Sequence, residues 1–192
     1  MLDGPAIVIL AAGASTRFGS PKQLAPLQDE VVLRTIAQRA VEIGRGRVTV
    51  VLGAHAQEIR PLLEDLPVKV AVNDAWREGL GSSLRAGIQS LPDNSAAALV
   101  WLGDQVGVTV EDLSHLIDAW DRDRSLIVAS SYRGTVGVPA IFPHRVFPEL
   151  LALRGDHGAK GVLLRQPEST TFVDIPNAAI DIDTPDDLTN YR

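Results

Sequence analysis

Leu10-Ala-Ala-Gly-Ala-Ser-Thr-Arg-Phe-Gly-Ser-Pro-Lys-Gln-Leu24 begins where a continuous apolar run, Ala6-Ile7-Val8-Ile9-Leu10, ends. An unbroken apolar run of this length, so near the start of the chain, reads as a strand buried on both faces of a parallel sheet. The chain then turns small, glycine-bearing and basic. Small residues let the backbone approach a ligand, and their N–H groups can face phosphate oxygens. Arg17 and Lys22 add two cations to the same loop. The stretch therefore reads as a polyphosphate cradle at the end of a strand. It is not a Walker A loop, because Lys22 does not follow the second glycine, Gly19. It is not a dinucleotide fingerprint either, because Gly13-Ala14-Ser15 breaks Gly-x-Gly.

Strand and helix patterns alternate outward from this point, which predicts an α/β layered domain with a mostly parallel sheet. Strands are expected at Ala6–Leu10, Val48–Leu52, Val68–Val72, Ala97–Leu102 and Leu126–Ala129. Helices are expected at Val31–Ile43, Gln57–Leu63, Leu80–Leu91 and Val110–Trp120. The pattern loosens beyond residue 130. Val138–Phe142 carries Pro139 and reads as an edge or bulged strand. Arg145–Leu153 and Ala159–Leu164 read as helices, Thr171–Val173 and Ala179–Ile182 as short strands, and Pro185–Tyr191 as a closing helix capped by Thr184. No repeat or linker interrupts the chain, so residues 1–192 read as one domain.

The formal charge is −6, which argues against nonspecific nucleic-acid binding and makes the basic loop a local feature suited to a small anion. There is no cysteine, so disulfides, thiolate metal sites and a cysteine nucleophile are excluded. No apolar run approaches the ~20 residues needed to span a bilayer. Met1-Leu2-Asp3-Gly4-Pro5 lacks the basic region of a secretory leader, and a cytoplasmic location is expected.

Ligands of open α/β sheets sit at the carboxyl ends of the strands. Three further segments fall there. Gly103-Asp104-Gln105 follows the fourth strand, and a carboxylate at a buried strand end calls for a compensating cation, so Asp104 is a metal candidate. Asp181-Ile182-Asp183 places two carboxylates on one face if extended, and spacing alone does not choose between them. Gly79-Leu80-Gly81-Ser82-Ser83 opens a helix and offers N–H groups and hydroxyls to a base edge or an anion. Trp76, just before it, reads as core or rim packing. Gly155-Asp156-His157-Gly158-Ala159-Lys160 opens another helix and is a second anion-site candidate. His55, His115 and His144 are scattered and share no metal-ligand spacing.

Ser15-x-Arg17-x-Gly19-x-x-Lys22 directly after Leu10-Ala-Ala-Gly13 resembles the signature of nucleotidyltransferases with a Rossmann-like, three-layer fold. The order of the later pieces, through Gly137-Val-Pro-Ala140, Gly155-Asp-x-Gly-Ala159 and Asp181-Ile-Asp-Thr-Pro185, is similar to the MobA-like NTP transferases, and among them to molybdenum cofactor cytidylyltransferases. The resemblance implies that Arg17, Lys22 and Asp104 carry catalysis. It implies a nucleotide site made of Leu10, Ala11, Ala12, Gly13, Ser15, Arg17, Lys22, Gly79, Gly81, Ser82, Ser83, Gly103 and Asp104. It gives Mg²⁺, or Mn²⁺ in its place, to Asp104 and Asp183, preferring Asp183 over Asp181 by motif position. Gly155, Asp156, Gly158 and Ala159 fall on the acceptor side. Leu-Ala-Ala-Gly with Gly-Asp-Gln is similar to the cytidylyl enzymes, whereas guanylyl relatives tend toward Leu-Ala-Gly-Gly with Gly-Asp-Met. Ala12 would narrow the base pocket relative to glycine, which implies CTP.

The implied reaction is direct attack by an acceptor phosphate on the α-phosphorus, with pyrophosphate leaving. The implied acceptor is a molybdopterin-type cofactor, with transient contact to a molybdoenzyme. Two alternatives stand beside it: the same chemistry on a sugar phosphate or other small phosphate, and a noncatalytic carrier or chaperone for the cofactor. Val106 and Gly107 depart from the family's usual Gly-Asp-Gln-Pro, and a loosened loop with a shifted metal site is the expected consequence.

Overall fold

The alternation of apolar runs and amphipathic helices builds, in the computed structural model, a seven-stranded sheet with helices packed on both faces. The structure describes residues 4–44 and 46–191. The leader reading at Met1–Asp3 and the two ends of the single-domain assignment lie outside the described residues. Among those residues no helix is long and apolar enough to cross a membrane.

The strands are β1 (Ala6–Ala11), β2 (Val48–Leu52), β3 (Lys69–Val72), β4 (Ala97–Leu102), β5 (Ile127–Tyr132), β6 (Thr135–Pro143) and β7 (Thr170–Asp174). Their spatial order is β3-β2-β1-β4-β6-β5-β7. Only β6 runs against its neighbours. The helices are α1 (Val32–Gly44), α2 (Ala56–Ile59), α3 (Leu80–Gln89), α4 (Val110–Arg122), α5 (Phe147–Leu151), α6 (Lys160–Arg165) and α7 (Pro185–Asn190).

All six residues of β1 are buried, which is why its sequence is apolar without alternation. Ile7 and Ile9 face one layer, with Leu33 and Ile36 of α1 and Leu116 and Trp120 of α4. Ala6, Val8 and Leu10 face the other, with Leu84 of α3, Leu150 of α5 and Val162 of α6. The result is three layers. The strand order reverses between β1 and β4, and ligands of such sheets bind in the crevice at that switch point. The basic loop leaves β1 there, and Asp104 leaves β4 beside it.

Two readings of the last third need correction, and of the two offered for Val138–Phe142 the bulged strand holds. β6 is an interior strand. Its register jumps from Ala129↔Ala140 to Ser130↔Gly137, so Val138 and Pro139 form a bulge, where the missing proline N–H costs no ladder bond. Ala179–Ile182 is not a strand. A 3₁₀ turn covers Pro176–Ala179, and the backbone beyond it bonds to the loop after β4. The segment expected as a helix at Arg145–Leu153 is a 3₁₀ turn, His144–Val146, followed by the short α5, with Pro148 in its first turn. The closing helix α7 has the expected cap: the Thr184 side chain accepts from the Asp187 N–H and Asp187 reaches back.

Candidate functional site

The loop after β1 is shaped by one side chain that sequence reasoning missed. Gln23 is 3% exposed; its amide donates to Ala11 O (3.0 Å) and Gly13 O (3.2 Å), and its oxygen accepts from the Ser15 hydroxyl (3.1 Å). The same hydroxyl accepts from the Lys22 backbone N–H at 3.2 Å. Gln23 thus closes the loop on itself, and the Lys22 side chain beside it is turned inward. No periodicity marks such a residue, because one buried amide beside a loop has no pattern. Gln23→Leu keeps the volume and strands two carbonyls and a hydroxyl. It is expected to destabilise by about 1–3 kcal/mol and to weaken nucleotide affinity, read by urea denaturation and by calorimetric titration.

Lys22 Nζ lies 2.6 Å from Asp104 Oδ2 and 2.8 Å from Asp183 Oδ1, and Arg17 reaches Asp183 Oδ2 at 2.9 Å. Lys22 and Asp104 are largely enclosed, with side chains 14% and 19% exposed, whereas Arg17 is 73% exposed. Burial pulls the Lys22 pKa down, but the charge and hydrogen bonds of Asp104, and then of Asp183, outweigh it and hold it above the ordinary lysine value. Lys22 is therefore a fixed cation at neutral pH.

The two carboxylates come from distant parts of the chain and are held together by backbone. Ile182 N–H donates to Asp104 O at 3.0 Å, and Gly107 N–H to Ile180 O at 3.2 Å. The loop that carries Val106 and Gly107 is not loosened. Val106 is fully buried, and its carbonyl accepts from Arg39 (2.6 Å) and from the Tyr191 hydroxyl (2.9 Å). A Cβ on Gly107 would stand 2.5 Å from Asn177 O and 2.6 Å from Ile180 Cβ, so glycine is what lets the two segments meet. Gln105, 2% exposed, donates to Val138 O and Ala178 O and ties the same loop to the bulge of β6.

The donor set suits a divalent ion. Asp104 Oδ1 is buried without a hydrogen-bond partner, and the carboxylate pair already gathers a cation, the Lys22 ammonium. Among the described residues no group of three or more His, Cys, Asp or Glu side chains converges as a ready-made cage. Two carboxylates completed by substrate phosphates is the usual arrangement for Mg²⁺. Asp181 is turned elsewhere, lining a separate hollow with Arg133 and Tyr191.

Burial, then repulsion from Asp104 and Asp183, raises the Asp181 pKa above its ordinary 3.8. The folded chain therefore binds that proton more tightly than the unfolded chain. The ionised form costs stability above the folded-state pKa, and the cost vanishes below the unfolded value. Asp181→Asn is expected to raise Tm at neutral pH and to leave it unchanged near about pH 3, both in EDTA.

A cavity of about 470 Å³ joins these parts. Its wall includes Leu10, Ala11, Ala12, Gly13, Ser15, Arg17, Lys22, Gly103, Asp104 and Asp183 at one end, and Gly79, Ser83 and Asp156 from the other expected segments. Gly81, Ser82, Gly155, Gly158 and Ala159 do not line it. Ser82 is occupied in the turn itself: it accepts from buried Asn73 at 2.8 Å and donates to Gly79 O at 2.8 Å. Trp76 and Arg77 line the cavity, with the guanidinium 4.3 Å from the indole centroid. Trp76 is thus rim packing with a ligand-facing edge.

Comparison with known proteins agrees with this geometry. A MobA-like NTP transferase domain matches residues 7–170. Nicotine blue oxidoreductase of Paenarthrobacter nicotinovorans is 29% identical over 194 aligned residues, covering 96% of this chain and 94% of that protein. The crystal structure of Rv0371c from Mycobacterium tuberculosis H37Rv superposes with a TM-score of 0.86 at 28% identity, covering 100% of this chain and 98% of that one. Its manganese complex superposes at 0.79, covering 96% and 95%. A nucleotidyl transferase from Methanothermobacter thermautotroptrophicus shares the fold at a TM-score of 0.84 and 22% identity, covering 99% and 96%. With the basic loop, Asp104 and the β1–β4 switch point all within the matched residues 7–170, the chain belongs to the MobA-like NTP transferase family.

Proposed function

We propose that this chain, as one domain over residues 1–192, is a cytoplasmic Mg²⁺-dependent cytidylyltransferase. It would move CMP from CTP onto the phosphate of a molybdopterin-type cofactor. The observation that carries the reading is the cluster of Arg17, Lys22, Asp104 and Asp183 at the switch-point end of one cavity. A nucleophilic side chain is not needed, because an acceptor phosphate is already an anion at neutral pH. Its oxygen forms the new bond to the α-phosphorus. The bond from the α-phosphorus to the bridging oxygen breaks, and pyrophosphate leaves with the electron pair.

The work left to the protein is positioning and charge neutralisation. The loop held by Gln23 presents N–H groups to the phosphates. Lys22 and Arg17 neutralise the charge that builds on the leaving pyrophosphate. Asp104 and Asp183 would hold the divalent ion, which when bound adds positive charge at the phosphate oxygens. The manganese complex of a relative supports a divalent ion, and Mn²⁺ is expected to substitute. Ala12, 4% exposed in the wall of the cavity, supports the smaller base.

The test is pyrophosphate release with each of the four NTPs against a panel of molybdopterin, sugar phosphates and other small phosphates. CTP with molybdopterin is expected to be fastest. Preference for a sugar phosphate would move the acceptor. Tight pterin binding with no pyrophosphate release from any pair would make the chain a carrier.

A further inference from the structure

The segment 155–159 is expected beside the acceptor, yet the fold bolts its start to the turn that opens α3. Gly81 N–H donates to Gly155 O at 2.9 Å. Arg85 of α3, its side chain 18% exposed, donates to Leu153 O at 2.7 Å and pairs with Glu78 at 2.7 Å. Gly79 has φ +103°, and a Cβ there would collide with Asp156 Oδ1 and stand 2.6 Å from Gly155 O. Glycine permits both the backbone conformation and the close approach. Asp156 consequently lines the same cavity as Gly79, Leu80 and Ser83.

Among the described residues the Asp156 carboxylate has no cation and no hydrogen-bond donor of its own. An ionised carboxylate only accepts hydrogen bonds, and it repels phosphate. It is therefore ill suited to an acceptor phosphate and well suited to the uncharged, donor-bearing end of a nucleotide. We propose that Asp156 accepts a hydrogen bond from the nucleoside part of the bound NTP, either the ribose 2′-hydroxyl or the exocyclic amine of the base. Arg85 is the positioning residue that holds the loop there. The inference rests on the nucleotidyltransferase reading and moves Asp156 from the acceptor to the nucleotide.

The experiment is calorimetric titration of wild type, Asp156→Ala, Arg85→Ala and Arg85→Lys with Mg–CTP, Mg–dCTP and Mg–UTP, without acceptor. Asp156→Ala is expected to bind CTP about tenfold more weakly or worse at unchanged Tm. A smaller loss with dCTP assigns the ribose, and a smaller loss with UTP assigns the amine; either supports the contact. Arg85→Ala is expected to reproduce the loss and Arg85→Lys to recover most of it. A merely structural Arg85 would lower Tm and leave the affinity of the folded protein unchanged. CTP affinity within about twofold of wild type in Asp156→Ala, tighter binding, or an equal loss with all three nucleotides would overturn the proposal. Wild type that binds none of the three overturns the cytidylyltransferase reading itself, so the two failures are distinguishable.

Discussion

Asp104→Ala is expected to lower kcat/KM on the order of 10³-fold, about 4 kcal/mol of transition-state stabilisation. Asp104 sits at the end of β4 with one oxygen on Lys22 and the other buried and unpaired. Alanine removes one of the two carboxylates that pair with the cation loop and line the cavity. The variant keeps its fold, because the backbone bond from Ile182 to residue 104 does not involve the side chain. Lys22 keeps Asp183 as a partner at 2.8 Å. A full-activity Asp104→Ala enzyme, or one whose Tm collapses with its rate, would remove the metal assignment. Thermal melting beside steady-state kinetics at several Mg²⁺ concentrations separates the cases.

Lys22→Ala is expected to cost about 10²–10³ in kcat/KM, with much of the loss in kcat, because its contacts tighten as charge builds on the leaving group. Lys22→Arg is not expected to rescue it. The ammonium is a compact point charge wedged between two carboxylates at 2.6 and 2.8 Å, and a planar guanidinium does not fit that space. Arg17, far more exposed, is expected to matter less. Kinetics within a few-fold of wild type for Lys22→Ala would make the pair a resting-state ion bridge only.

The convergence of the basic loop with Asp104 and Asp183 was legible because its signals are local. A continuous apolar run marks β1, the spacing of Ser15, Arg17, Gly19 and Lys22 marks the loop, an acidic residue after a strand marks Asp104, and the Asp-Ile-Asp-Thr-Pro motif marks Asp183. What escaped is held by contacts that no spacing reveals. Gln23 and Asn73 act through buried amides whose partners are backbone carbonyls and hydroxyls. Ala179–Ile182 has strand-like composition, but its hydrogen bonds go to the loop around Asp104, and a tertiary pairing overrides the local preference. The departure at Val106-Gly107 looked like a weakness and is a close-packed joint, since only the fold shows that Asn177 and Ile180 press against it. The place of Asp156 in the cavity wall was equally hidden, because it depends on how Gly81 and Arg85 bond to a distant loop and how closely Gly79 lets that loop approach.

The most direct measurement follows the phosphates themselves. CTP labelled on the α-phosphorus and CTP labelled on the γ-phosphorus are incubated separately with the protein, Mg²⁺ and a molybdopterin acceptor. The α label is expected to move to the acceptor and the γ label to appear in pyrophosphate, in equal amounts, with both transfers lost in Asp104→Ala. Retention of both labels in intact CTP, or release of the γ label as orthophosphate with nothing on the acceptor, would contradict nucleotidyl transfer at this site.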